Sequence, residues 1–237
     1  VLAVGAHPDD VELGCGATLL AHRARGDSVG LLVLTGGEHG PQGQSSRVSE
    51  QEIAASILGA ELFWGGFEDG SVPEGRAGVT VVEEAIRAIG ADVVYTHSPR
   101  DSHQDHRSAA VATLAAGRHV SRILMYETPS SLGFTPTVFV DAADHLPGKL
   151  KALRAHVSQV LQNDLVDLDA VAAQARYRGF QARLRHAEGF ETERFAWDLS
   201  GARRESPSAD LAVSESVSGS VSDAVADIEY APSAAGR

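Results

Sequence analysis

Cysteine is nearly missing from this chain: Cys15 is the only one in 237 residues. One thiol closes no intramolecular disulfide and builds no zinc–thiolate cluster. That usage fits a reducing compartment, and a cytoplasmic location is the expectation. Positive charge is also scarce, with 20 Lys and Arg against 32 Asp and Glu and a formal net charge of −12. Such a surface argues against a nucleic-acid partner, whose phosphates demand clustered Lys and Arg, and against docking on an anionic membrane. Long apolar runs are missing too. None approaches the roughly 18 residues that span a bilayer, and no basic segment leads into an apolar one in the manner of a signal peptide. The chain opens inside an apolar run without an initiator Met, so the expectation is that a few N-terminal residues are missing.

What is present is an alternation. Short apolar runs at 1–6, 28–35, 61–67, 92–98, 122–128 and 137–143 read as strands. Between them, 11–26, 47–60, 79–91 and 105–119 carry apolar residues at three- and four-residue spacing and read as helices. This is the pattern of βαβ units: an α/β, Rossmann-like, mostly parallel sheet with helices on both faces. After Asp141 the pattern changes to helices over 146–160 and 169–186 and a closing strand over 189–199, read as a small C-terminal subdomain. From about Glu205 the chain becomes Ser-rich and acidic, with Tyr230 its only aromatic residue. Such a segment cannot bury enough apolar surface to offset its ordering entropy. The expected division is one domain over 1–200 and a disordered tail over 201–237.

Two polar clusters interrupt the apolar pattern. His7, Asp9 and Asp10 follow the first strand in VLAVGAHPDD, and charged groups at the end of a core strand are costly unless compensated. The second cluster, THSPRDSHQDHR, follows the DVVY strand with His97, Asp101, His103, Asp105 and His106. In doubly wound sheets ligands sit outside the carboxyl ends of the strands, which puts both clusters on one edge. Two histidines and a carboxylate with an open position form a hydrolytic zinc set. Taken one at a time the residues have plainer readings, since Asp9, Asp10 or Asp105 could cap the helix that follows.

HPDDVELGCGAT followed by HSPRDSHQDHR resembles the LmbE-like (PIG-L) family of zinc-dependent N-acetylglucosamine deacetylases. TGGEHG, the R-x-x-E of Arg47 and Glu50, FEDG, YETPS, HVSQ and HAEGF add to the resemblance, which runs over roughly 1–195. It implies His7, Asp10 and His106 as zinc ligands and Asp9 as the general base. It implies His103 as the stabiliser of the carbonyl oxygen, Asp105 as a residue orienting a histidine, and Arg47 near a polar part of the substrate. Zn2+ is the implied cofactor, with another divalent cation such as Fe2+ as the alternative. The implied partner is a small acylated amino-sugar conjugate, and a homo-oligomer is among the states the family adopts.

The chemistry suits those residues. An acetamide is a poor electrophile and neutral water a poor nucleophile; zinc answers both by acidifying water and polarising the carbonyl. One aspartate then serves the ion and its neighbour the proton. Competing readings are an amidase of thiol-sugar conjugates of the mycothiol or bacillithiol type, and a non-catalytic metal- or sugar-binding domain, which would need ligands but no base. Elsewhere, Cys15 reads as a small buried residue, Glu188 as mainly structural, and His39, His97 and His186 as either crevice-lining or surface residues.

Overall fold

The structure, a computed structural model, describes residues 1–40, 44–161 and 166–197. The tail assigned to 201–237 lies outside them. Five strands carry the parallel part of the sheet: β1 (Leu2–Gly5), β2 (Gly30–Thr35), β3 (Glu61–Phe67), β4 (Val93–His97) and β5 (Arg122–Tyr126). The helices between them are α1 (Asp10–Ala24), α2 (Gln44–Leu58), α3 (Arg76–Ile89) and α4 (Gln104–Ala116). The C-terminal elements are β6 (Val138–Asp141), α5 (Leu146–Arg154), α6 (Val157–Val160), α7 (Leu168–Ala182) and β7 (Ala187–Phe195).

The sheet order is β3-β2-β1-β4-β5-β7-β6. Strands β1 to β5 pair in parallel, while β7 lies antiparallel between β5 and β6. The closing strand is therefore an internal member of the main sheet. The chain reverses its winding direction between β1 and β4, the topological switch point at which open α/β sheets bind ligands.

Pleating explains why β1 and β2 are apolar throughout. Ala3 and Leu31 face one core with Val11, Leu19, Ala54 and Leu58, whereas Leu2, Val4, Leu32 and Leu34 face a second with Val82, Ala85 and Ala109. Helices α1 and α2 thus cover one face of the sheet, and α3 and α4 the other.

Two departures from the sequence reading have physical causes. The helix expected over 146–160 is two helices, α5 and α6, separated at Ala155 and His156. Glu50 of α2 accepts from Ser158 N–H at 2.8 Å and from Ser158 Oγ at 2.6 Å, capping the second piece from outside its own neighbourhood. Helix α1 also breaks, at Cys15 (φ −146°). Glu188 accepts from the N–H groups of Ala17 and Thr18 at 3.1 and 2.7 Å, and Lys149 donates to the Leu13 carbonyl at 2.7 Å. Lys149 and Glu188 pair with each other at 2.6 Å with both side chains buried. Their ion pair satisfies the backbone groups freed by the break, which confirms a structural role for Glu188. Cys15 is buried, as expected.

Candidate metal centre and active site

The switch point brings the two polar loops together. Strand β1 ends at Gly5, where a Cβ would sit 3.0 Å from Val11 Cγ2 and 3.2 Å from Asp10 Cβ. The missing side chain lets the HPDD turn fold back tightly on the strand. Asp9 occupies the residue before α1 with φ 96° and ψ −26° and makes no side-chain cap. The plain capping reading therefore fails for Asp9. A left-handed turn at an L-residue sends its side chain away from that of Asp10, and the two carboxylates meet different partners.

Asp10 faces imidazoles. Its Oδ2 accepts from the His7 N–H at 2.8 Å and lies 3.4 Å from His7 Nδ1 and 3.2 Å from His97 Nε2; Oδ1 lies 3.3 Å from His106 Nε2. Asp9 faces α2: Arg47 Nη2 is 3.4 Å from its Oδ2, and Gln51 Oε1 accepts its N–H at 3.1 Å. Among the described residues Asp9 Oδ1 has no hydrogen-bond partner.

Loop 98–103 and α4 supply the other histidines. His103 precedes α4 and caps it, its Nδ1 accepting from Asp105 N–H at 3.2 Å. That bond leaves the ring proton of neutral His103 on Nε2. His97, His106 and His103 form a stack, with ring centroids 4.0 Å apart for the first pair and 4.6 Å for the second. His106 Nδ1 lies 3.2 Å from Asp101 Oδ2 and 3.2 Å from Ser130 Oγ, which turns Nε2 toward Asp10. His7 is held at Nε2 by Asp69 Oδ1 at 3.0 Å and Asp105 Oδ2 at 3.1 Å. Asp105 does not cap its helix either, because its carboxylate accepts from Gly70 N–H at 2.6 Å and Val72 N–H at 3.2 Å. Such carboxylate partners fix the tautomer and orientation of a metal-binding imidazole.

The expected trio of His7, Asp10 and His106 is not itself one three-donor grouping; its members meet only through overlapping ones. Three-donor groupings that could hold an ion are His7 with His103 and His106, Asp10 with His97 and His106, and His7 with Asp69 and Asp105. His7 and His106 share the first, Asp10 and His106 the second, and the His7–Asp10 contact closes the triangle. Donors around a four-coordinate zinc, at bond lengths of about 2.0–2.1 Å, lie about 3.3 Å from one another. The 3.3 and 3.4 Å separations around Asp10 have that spacing but run to different oxygens, Oδ1 toward His106 and Oδ2 toward His7; it is the donor types, imidazole and carboxylate, that fit a divalent cation.

Charges in the cluster are strongly coupled. Burial opposes protonation of His7, but hydrogen bonds that it donates to Asp10, Asp105 and Asp69 outweigh it and raise its pKa to about 12. Burial likewise opposes a charge on His106, and Asp10 and Asp101 raise it to about 9. Asp10 stays well below the carboxylate range because His106 and His97 overcome its burial. Asp9 behaves oppositely: burial and the charge of Asp10 push it up to about 6 against the pull of Arg47. Burial and then His106 draw His97 down to about 4, so it is neutral at pH 7. Burial, His106 and His7 together lower His103 as well.

Arg47 is buried and turned inward. Its Nη2 donates to the Pro8 carbonyl at 2.7 Å and its Nη1 to the Gly37 carbonyl at 3.4 Å, while Nε has no partner among the described residues. Gly37 sits at φ 64°, where an L side chain is strained, and a Cβ there would press on the Arg47 guanidinium, 2.4 Å from Nη1. Arg47 and Glu50 of the R-x-x-E motif do not pair with each other; Glu50 caps α6 instead. Three residues that assist the cluster had no assigned role in the sequence reading. Asp101 and Asp69 were visible only inside motifs, and Gln51 carried no signal at all. Asp69 brings the FEDG loop to His7 and also accepts from the His39 N–H at 3.1 Å. The His39 side chain is exposed.

A buried cluster of histidines and aspartates that could hold a cation, at the switch point of a doubly wound sheet, is what this geometry defines. The family model for GlcNAc-PI de-N-acetylase (PIG-L) matches residues 2–117, which contain both His–Asp loops. The chain is 38% identical over 167 residues to the uncharacterized deacetylase YaiS of Escherichia coli K12, covering 67% of this chain and 90% of that one. It is 30% identical over 217 residues to the diacetylchitobiose deacetylase of Thermococcus kodakarensis, covering 80% and 81%. The crystal structure of the conserved protein TT1542 from Thermus thermophilus superimposes with a TM-score of 0.76 at 29% identity, covering 85% of this chain and 98% of that one. The chain belongs to the PIG-L, or LmbE-like, family. No helix among the described residues is long and apolar enough to cross a membrane.

Proposed function

We propose that this protein is a zinc-dependent hydrolase that removes the N-acetyl group from an N-acetylglucosamine-type conjugate. One observation carries the reading: Asp9 and Asp10, neighbours in sequence, are turned to different tasks, Asp10 among three imidazoles and Asp9 apart from them with a free oxygen. His7, Asp10 and His106 would hold the cation, with Asp69 and Asp105 steadying His7 and Asp101 steadying His106. When bound, the cation supplies a Lewis acid that acidifies water and polarises the amide carbonyl.

The chain's own groups do the rest. Asp9, poised at about 6, takes the proton of the attacking water at Oδ1 while Arg47 keeps Oδ2 in place. His103 presents its Nε2–H to the carbonyl oxygen as negative charge develops there. The proton held by Asp9 passes to the nitrogen as the C–N bond breaks, releasing acetate and the free amino sugar. Arg47 Nε is the donor left for a polar group of the substrate. A binding module would have no use for a buried carboxylate at φ 96°.

The test is amine release from N-acetylglucosamine conjugates, with and without a chelator, followed by metal replacement. Turnover that survives complete chelation removes the metal from the mechanism, and no turnover on any acetamide removes the hydrolase.

A further inference from the structure

Two motif residues have no part in the chemistry above: Glu12, just after the HPDD turn, and His156, which opens HVSQ. Both are fully buried. Glu12 lies in the first turn of α1. His156 lies between α5 and α6, where Glu50 of α2 fixes the segment by capping α6 through Ser158. A chain of contacts runs from His156 to the proposed base. His156 Nε2 is 3.7 Å from Glu12 Oε2. Glu12 Oε1 accepts from Gln51 Nε2 at 2.8 Å, and Gln51 Oε1 accepts the Asp9 N–H at 3.1 Å. The last bond bears on the backbone at φ 96°, the turn that separates the Asp9 carboxylate from that of Asp10.

Gln51 alone does not fix that bond. An amide side chain presents oxygen at one end and NH2 at the other, and its oxygen stays toward Asp9 only while the NH2 has an acceptor behind it. Glu12 is that acceptor, and a fully buried carboxylate needs a cation beside it. Among the described residues, His156 is the one basic side chain paired with Glu12. Burial opposes a charge on His156, but Glu12, then Asp9 and Glu50, raise its pKa. Neither of its ring nitrogens has a hydrogen-bond partner among the described residues, and Glu12 Oε2 has none either. An apolar ring would fill the same space at less cost. The charge of His156, more than its bulk, is what this position uses.

We propose that His156 is a positioning residue for the reaction: by pairing with Glu12 it holds Gln51, and through Gln51 it keeps the Asp9 carboxylate turned away from the metal ligands. The inference rests on the deacetylase reading for the reaction that Asp9 serves, but one of its readouts needs no turnover. Exchanging a buried ion pair for apolar residues usually leaves a fold as stable as before or more so. Glu12→Leu/His156→Leu, loaded with zinc, should therefore unfold near the denaturant midpoint of the parent. Its kcat should nonetheless fall about tenfold, the scale of one misplaced hydrogen bond, with KM and zinc content near those of the parent. In the same protein the Asp9 amide proton, followed by NMR, should shift and exchange with solvent about tenfold faster. His156→Gln, which still donates to Glu12, should recover most of the lost kcat, whereas His156→Phe, which keeps only the bulk, should resemble the double variant. Full kcat in the double variant, loss of its fold, an unmoved Asp9 amide, or His156→Phe equal to His156→Gln would overturn the proposal. If the parent protein hydrolyses no acetamide while the Asp9 amide responds as expected, the deacetylase reading fails and the positioning of Asp9 by His156 stands.

Discussion

At Asp9 the backbone turns left-handed, a conformation that costs an L-residue roughly 1–2 kcal/mol, and the carboxylate is buried beside a second one. Asp9→Asn keeps the shape of the side chain and the ligand set. Metal content should therefore stay near that of the parent while turnover falls about 10²–10⁴-fold, the scale of a lost acid–base group. Asp10→Ala should instead leave the purified protein largely metal-free. Metal analysis beside a rate assay separates them, and the reverse pattern would exchange the two roles. Protons and metal also compete for His106, whose burial is outweighed by Asp10 and Asp101 so that its pKa rises to about 9. A raised pKa in the folded state contributes stability that is complete below the unfolded value near 6.5 and is lost as pH rises through about 9. Chelated protein should thus melt at falling temperature across that window, and metal-loaded protein should show little of the dependence. Thermal scans of both forms decide it. The HPDD and HQDH clusters were legible because so many polar residues at strand ends are costly unless they bind something. His97 was visible in the second cluster but stayed open between crevice and surface, because a single histidine closing an apolar strand carries no mark of the partner it faces.

Helix α2 shows how an element can be read correctly and its purpose missed. Its period was plain and the resemblance placed Arg47 near the substrate, yet Gln51, four residues further along the same face, carries no signal in sequence. In the fold they turn inward: Arg47 binds the Pro8 carbonyl, and Gln51 takes the Asp9 N–H while donating to Glu12 Oε1 at 2.8 Å. Glu12 and His156 are fully buried behind them, 3.7 Å apart. Gln51→Ala leaves the Asp9 N–H and Glu12 Oε1 without their hydrogen-bond partner, which should cost about 1–3 kcal/mol of stability and lower kcat more than it raises KM. Gln51→Glu, which keeps only the acceptor, would place a carboxylate against Glu12 and should not rescue it. Arg47→Lys should impair catalysis with metal content intact, because one ammonium cannot reach Pro8, Gly37 and Asp9 together. Kinetics equal to the parent would remove Arg47 from the site. The split between α5 and α6 was invisible for a related reason: its cap, Glu50, lies 108 residues away in the chain.

Across the whole molecule, the mostly parallel character of the sheet followed from alternation alone, but its strand order and the insertion of β7 between β5 and β6 did not, since antiparallel addition leaves no mark on a strand's own residues. That insertion brings Glu188 beneath α1, where Lys149 meets it. Removing one member of a buried pair leaves the other uncompensated, so Lys149→Met should cost about 3–5 kcal/mol by denaturant unfolding. A change under about 1 kcal/mol would show that the broken α1 needs no staple. Truncation after Ser200 should leave metal content, unfolding cooperativity and turnover nearly unchanged, because the Ser-rich composition beyond it offers no core. A large fall in melting temperature would move the domain boundary.

The left-handed turn at Asp9 has a consequence for how this protein would respond to selection. Glycine accepts that turn freely, and it would also remove a buried charge pressed against Asp10. Asp9→Gly is thus expected to melt at a higher temperature than the parent while losing turnover. Heat tolerance and catalysis pull in opposite directions at this one position, and a population evolved for survival on heating, with no demand for product, should drift to glycine there.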